Sequence, residues 1–129
     1  MTKALALAAL ASAALAATAC SLTAVGEGRQ IVVRAGERGG AMYFEPGHIT
    51  VRAGETVTFV VENESRQDHE FESIEQGEAG IEEILVPPGR ARRVVWTAPS
   101  SPAVYPVYCD LPGHRDAGME LTLEVVAGP

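Results

Sequence analysis

The sequence predicts an all-β chain folded as a Greek-key β-sandwich of about seven or eight strands, and three observations carry that expectation. Short runs rich in Val, Ile, Thr, Tyr and Phe recur from Gln30 to Val126, separated by turn residues such as Glu45-Pro46-Gly47-His48 and Pro87-Pro88-Gly89. Val57, Phe59 and Val61 alternate with Thr56, Thr58 and Val60, and Leu121, Leu123 and Val125 alternate with polar neighbours, which is the period of a strand with one buried face. Helical periodicity is almost absent: residues 75 to 83, rich in Glu and Gly, are too few for an independent helix. Many short strands with no helices between them make two packed sheets.

Each element has its own justification. Lys3, the Ala and Leu run from Ala4 to Ala17, and the small residues Ala17-Thr18-Ala19 read as a signal peptide over residues 1–19. The run falls short of the roughly twenty apolar residues that span a bilayer, so export followed by removal is expected. Residues 20–29 form a polar tether. Cys20 directly after Ala17-Thr18-Ala19 is similar to a lipoprotein box, which would anchor the mature chain to a membrane through a lipid on Cys20; plain secretion is the alternative. Either way the product is periplasmic or extracellular. The domain proper runs over 30–127. Ile31 to Val33 nucleate its first strand, Tyr43 and Phe44 lead into a turn, and Ile49 to Arg52 and Thr56 to Val61 are the next strands. His69 to Ile74 follows, with His69 and Phe71 on one face. Ile84 to Val86, Ala91 to Trp96, Ala103 to Cys109 and Glu120 to Val126 complete the set. Val33-Arg34-Ala35-Gly36-Glu37 reappears as Val51-Arg52-Ala53-Gly54-Glu55, and the expectation is one strand-end turn used twice rather than a repeat architecture.

Composition sets what the chain can do. With 129 residues, 47% of them hydrophobic, it is one domain able to fill a single core without disulfide staples. A net charge of −7 argues against nucleic acid as a partner, because phosphate binding needs clustered Lys and Arg. Arg90, Arg92 and Arg93 are read as a solvated strand face. There are two cysteines, and one belongs to the signal or the anchor. In an exported protein a lone Cys109 is either buried and inert or occupied by a metal.

The surroundings of Cys109 favour occupation. Tyr108-Cys109-Asp110-Leu111-Pro112-Gly113-His114-Arg115-Asp116-Ala117-Gly118-Met119 brings a thiolate, an imidazole and a thioether onto one loop, with four residues between Cys109 and His114 and four between His114 and Met119. Soft sulfur donors with imidazole suit copper, and a copper electron-transfer site needs two His and one Cys in a plane with a weak axial Met. His69, in Gln67-Asp68-His69-Glu70-Phe71, is the best upstream residue to complete the plane. His48 lies in a turn with no second soft donor near it and is read as a surface residue. Trp96, Tyr105 and Tyr108 are read as packing residues, with Tyr108 placed to line the site.

On these residues the chain resembles the cupredoxins, small blue copper proteins of the plastocyanin, azurin and auracyanin kind, over roughly residues 28 to 127. The resemblance places Cys109, His114 and Met119 on the family's C-terminal ligand loop and His69 on its upstream histidine. It implies one copper ion cycling between Cu(I) and Cu(II), a monomer, and transient docking of redox protein partners over the edge of His114, ringed by Leu111 and Pro112. One departure stands out. Many cupredoxins carry Asn or Ser after the upstream histidine, where it braces the cup; this chain has Glu70, which could itself join the copper.

The expected function is therefore one-electron transfer by an exported mononuclear copper protein. A copper-binding module that captures, stores or hands over metal would use the same ligands and is the alternative. Catalysis is not expected: multicopper oxidases and nitrite reductases need further His-rich centres, and His48, His69 and His114 are the only histidines. Zinc would seldom recruit Met119, and a Cys-His nucleophile leaves Met119 unexplained.

Overall fold

A computed structural model describes residues 28–129; the expected signal peptide, Cys20 and most of the expected tether lie outside the described residues. Nine strands follow in order among the described residues: β1 (Arg29–Arg38), β2 (Ala41–Glu45), β3 (His48–Arg52), β4 (Thr56–Asn63), β5 (His69–Phe71), β6 (Ile84–Val86), β7 (Ala91–Thr97), β8 (Ala103–Tyr108) and β9 (Glu120–Val126). One sheet has the order β2-β1-β4-β7 and a second the order β3-β9-β8, while β5 and β6 form a separate pair. β1 lies parallel to β4 and β3 parallel to β9, so these neighbours are joined by crossing connections rather than hairpins. The predicted β-sandwich is the observed architecture.

The alternating residues face one another across the two sheets. Val33, Val57, Phe59, Val61 and Trp96 come from the first sheet, and Ile49, Val51, Tyr105, Val107, Leu121, Leu123 and Val125 from the second, all buried in one core. Register keeps like faces together: Val33 pairs with Val61, Ile49 with Leu123, and Val107 with Leu121. A slip of one residue would turn every one of these side chains to solvent.

Three local differences from the sequence reading have physical causes. The strand count is nine because residues 41–45, expected to lead into a turn, pair with β1 as β2. That pairing also separates the two copies of the repeated pentapeptide. Gly54 sits in a turn with φ of +76°, whereas Gly36 lies inside β1 opposite Tyr43, where a Cβ would overlap the Tyr43 ring. Absence of a side chain at residue 36 lets that ring lie across the strand, with the Arg38 guanidinium 5.2 Å from its centre. Finally, the strand expected over 69–74 ends at Phe71, and Ile74–Ala79 is a 3₁₀ segment interrupted at Gly77.

The short β5–β6 pair is held in place by its own alternation. Phe71 is fully buried against Phe44 and Phe59, each ring centre 5.4 Å away. Because His69 shares that face, anchoring Phe71 also drives His69 inward. Beyond β5, Glu72 bridges to Tyr108 through two backbone hydrogen bonds, which ties the pair to the end of β8.

Candidate metal centre

The donors converge where β5 meets the loop between β8 and β9. Cys109 leaves the last residue of β8, and the loop then curls back on itself: the His114 N–H donates to the Leu111 carbonyl, the Met119 N–H to the His114 carbonyl, and the Cys109 N–H to the Met119 carbonyl. Gly113 turns the chain with φ of +82°, a region that a side chain disfavours. The far limb is fastened to the first sheet, since the Met42 N–H donates to the Ala117 carbonyl at 2.9 Å.

Within this frame His69, Cys109 and His114 present ligand atoms that all lie within 4.8 Å of one another. His69 Nδ1 is 3.2 Å from His114 Nδ1, and Cys109 Sγ is 3.3 Å from the same nitrogen. The two rings are inclined at 64°, so their nitrogens meet at a point rather than stacking. His69 and Cys109 have no exposed surface, and His114 retains 8%. Met119 is fully buried and its backbone closes the loop onto both Cys109 and His114.

Electrostatics show what the site can hold. Burial pushes the Cys109 thiol above its usual range, and the nearby carboxylates of Glu70 and Glu72 add to the effect, while backbone N–H groups of Glu70 and Leu111 oppose it. Burial lowers His69 as well, with His114 beside it contributing in the same direction. A buried thiol that ionises only with difficulty, facing two imidazole nitrogens, is a donor set that a soft cation completes.

Glu70 answers the departure noted in the sequence. Its backbone N–H donates to Cys109 Sγ at 3.3 Å, so the residue after His69 supports the sulfur through the main chain whatever its side chain. The carboxylate accepts a hydrogen bond from the Asp110 backbone, and burial and Glu83 hold its proton above the usual range.

The sequence reading did not single out three residues that border the site. Ser65 Oγ lies 2.7 Å from His69 Nε2, and Asn63 is buried beside it. Asn63-Glu64-Ser65 carries the composition of an Asx turn, which marks a turn but not a contact with a histidine. Glu72 is buried with Oε2 unpartnered, and burial, followed by Glu83, pushes its carboxyl up to about 7. An isolated Glu in a strand gives no sign of this. His48 is exposed, as expected of a surface residue, and pairs with Glu124 at 3.0 Å, and Trp96, Tyr105 and Tyr108 are buried. The Arg115 guanidinium lies 3.9 Å from the centre of the Tyr108 ring and pairs with Glu75 and Glu120.

Comparison with known proteins points the same way. A family model described as a cupredoxin-like domain matches residues 4–122. The copper-resistant cuproprotein CopI of Pseudomonas aeruginosa is 28% identical, the match covering 66% of this chain and 72% of that protein. Chloroplastic plastocyanin of Hordeum vulgare is 33% identical, covering 67% of this chain and 57% of that one, so the chain spans little more than half its length. Among solved structures, dithionite-reduced auracyanin from Roseiflexus castenholzii superposes with a TM-score of 0.63 at 23% identity, over 78% of this chain and 99% of that one.

Proposed function

The chain belongs to the cupredoxin-like domain family, and we propose that it is an exported mononuclear copper protein that carries single electrons between redox partners. The observation that carries the proposal is the buried convergence of His69, Cys109 and His114. Those three would hold the ion, and Met119, buried at the end of the same loop, would add a soft thioether donor. Copper bound there supplies a one-electron couple between Cu(I) and Cu(II).

The chain's own residues do the rest. Glu70 N–H stabilises the sulfur in its ionised form, and burial of Phe71 and the loop's internal hydrogen bonds hold the donors where they are before an ion arrives. Donors that need not move on oxidation or reduction keep reorganisation small. His114 is the one donor of the three with exposed surface, and Leu111 and Pro112 lie on its own loop, so partners dock over that edge in a small, short-lived contact. Residues 1–19 serve as the export signal, residues 20–29 as a tether that a lipid on Cys20 would fasten to a membrane, and residues 30–127 as a domain working as a monomer. No enzymatic role is assigned, because three histidines cannot furnish further copper centres.

Similarity to the copper-resistant cuproprotein CopI supports a second reading, in which the same ligands capture or hand over copper without serving an electron chain. Absorption and paramagnetic resonance spectra of the copper-loaded protein test the first. An intense blue thiolate-to-copper band, lost in Cys109→Ser while the fold persists, is expected; a band that survives the substitution would show the thiolate assignment wrong. Slow copper loss and fast electron self-exchange distinguish the carrier from a trafficking module.

A further inference from the structure

We infer that Ser65, oriented by Asn63, is a positioning residue that holds His69 in the tautomer whose Nδ1 lone pair faces Cys109 and His114. The geometry stands by itself, while its consequence for copper rests on the function proposed above.

Asn63, the last residue of β4, fixes the direction of the network. Its Nδ2 donates to the carbonyls of Gln67 at 2.7 Å and Val86 at 2.8 Å, both of which can only accept. Its Oδ1 accepts the Ser65 backbone N–H at 2.9 Å. The amide therefore has one possible orientation, with oxygen toward Ser65. Ser65 Oγ sits 2.9 Å from that oxygen, which can only accept, and 2.7 Å from His69 Nε2. The Gln67 carbonyl, at 3.2 Å, is a longer acceptor already engaged by Asn63, and the Gln67 N–H donates to Ser65 Oγ at 3.2 Å.

A hydroxyl has one proton to give. Donated to Asn63 Oδ1, it leaves the Ser65 oxygen as an acceptor aimed at His69, and the partner that satisfies it is an Nε2–H. The chain of donors then runs His69 Nε2–H to Ser65 O–H to Asn63 Oδ1, and each step polarises the next. A neutral imidazole carries one N–H, so protonation at Nε2 leaves Nδ1 bare, and Nδ1 is the nitrogen lying 3.2 Å from His114 Nδ1. Val86, which accepts from Asn63, is also the residue paired with His69 across β5 and β6. One amide thus locks the ring's hydrogen bond and the strand that carries it. An Nε2–H engaged by an oxygen makes Nδ1 a stronger donor, which favours Cu(II) and lowers the potential.

The test combines imidazole nitrogen NMR on the metal-free chain, at a pH where the ring is neutral, with copper titration. In the wild-type protein His69 should show a protonated Nε2 and a bare Nδ1. Ser65→Ala should lose that single tautomer, bind copper 10–100-fold more weakly and have a raised potential, and Ser65→Thr should restore all three. A wild-type His69 protonated at Nδ1 would overturn the inference. So would a Ser65→Ala chain that melts lower but keeps tautomer, affinity and potential. The tautomer measurement needs no copper, so a copper-loaded protein without a blue band would defeat the electron-carrier proposal and leave this result standing.

Discussion

Cys109 and Met119 are both sulfur residues with no exposed surface, yet their substitutions are expected to act differently. Loss of the thiolate would remove the charge-transfer partner, whereas Met119→Leu would remove only the weak thioether donor proposed for that residue. That variant should keep copper and raise the potential, because a weaker axial donor favours Cu(I); a fall on redox titration would contradict the axial assignment. Glu72 gives a prediction about stability. Its carboxyl, raised from 4.5 to about 7, holds its proton more tightly in the folded state than in the unfolded one. The stability linked to it is complete below the unfolded value and is lost as pH rises through about 7. Glu72→Gln should therefore match the wild type below pH 4.5 and exceed it in alkali, by an upper bound of about 3 kcal/mol, read from urea midpoints at the two pH values. At this scale the convergence of His69, Cys109 and His114 was legible because two of them share one loop and the third shares parity with a core aromatic. Asn63 and Ser65 were not, since an Asx turn looks the same whether or not a histidine rests against it.

The ligand loop depends on backbone geometry as much as on donors. Gly113→Ala must place a side chain at φ of +82°, which costs about 1–2 kcal/mol. Because the strain falls between Cys109 and His114, the expected outcome is a lower melting temperature together with weaker copper retention, measured by chelator competition. An alanine variant that melts and holds copper like the wild type would show the bend to be dispensable. Strands with clear alternation, such as β4 and β9, could be read from the sequence. β2 could not: its five residues earn their place through pairing with β1, and that pairing needs a glycine at position 36 for a reason visible only once Tyr43 lies across it. Likewise the 3₁₀ segment Ile74–Ala79 replaces the end of an expected strand because the chain must turn after its bridge to Tyr108.

For the molecule as a whole, the sandwich class and its core followed from the repeated two-residue period, while the third, two-stranded pair did not, because three-residue strands carry too little pattern to assign a sheet. With a net charge of −7, docking to a basic partner should weaken as salt rises. The position of the donors has a mechanical consequence. His69 rides on the small β5–β6 pair, Cys109 and His114 on the loop joining β8 to β9, and the described residues include no disulfide to bind these regions together. An ion held from both sides would add a clasp to the ties already joining these parts: the Glu72–Tyr108 bridge, the Glu70 N–H to Cys109 Sγ and the Arg115–Glu75 pair. Copper at a hundredfold excess over its dissociation constant should stabilise the fold by about 2.7 kcal/mol, seen as a higher melting temperature that a chelator reverses. Without the ion, hydrogen exchange at Glu70, whose N–H donates to Cys109 Sγ, should quicken before the amides of β4 and β9 respond.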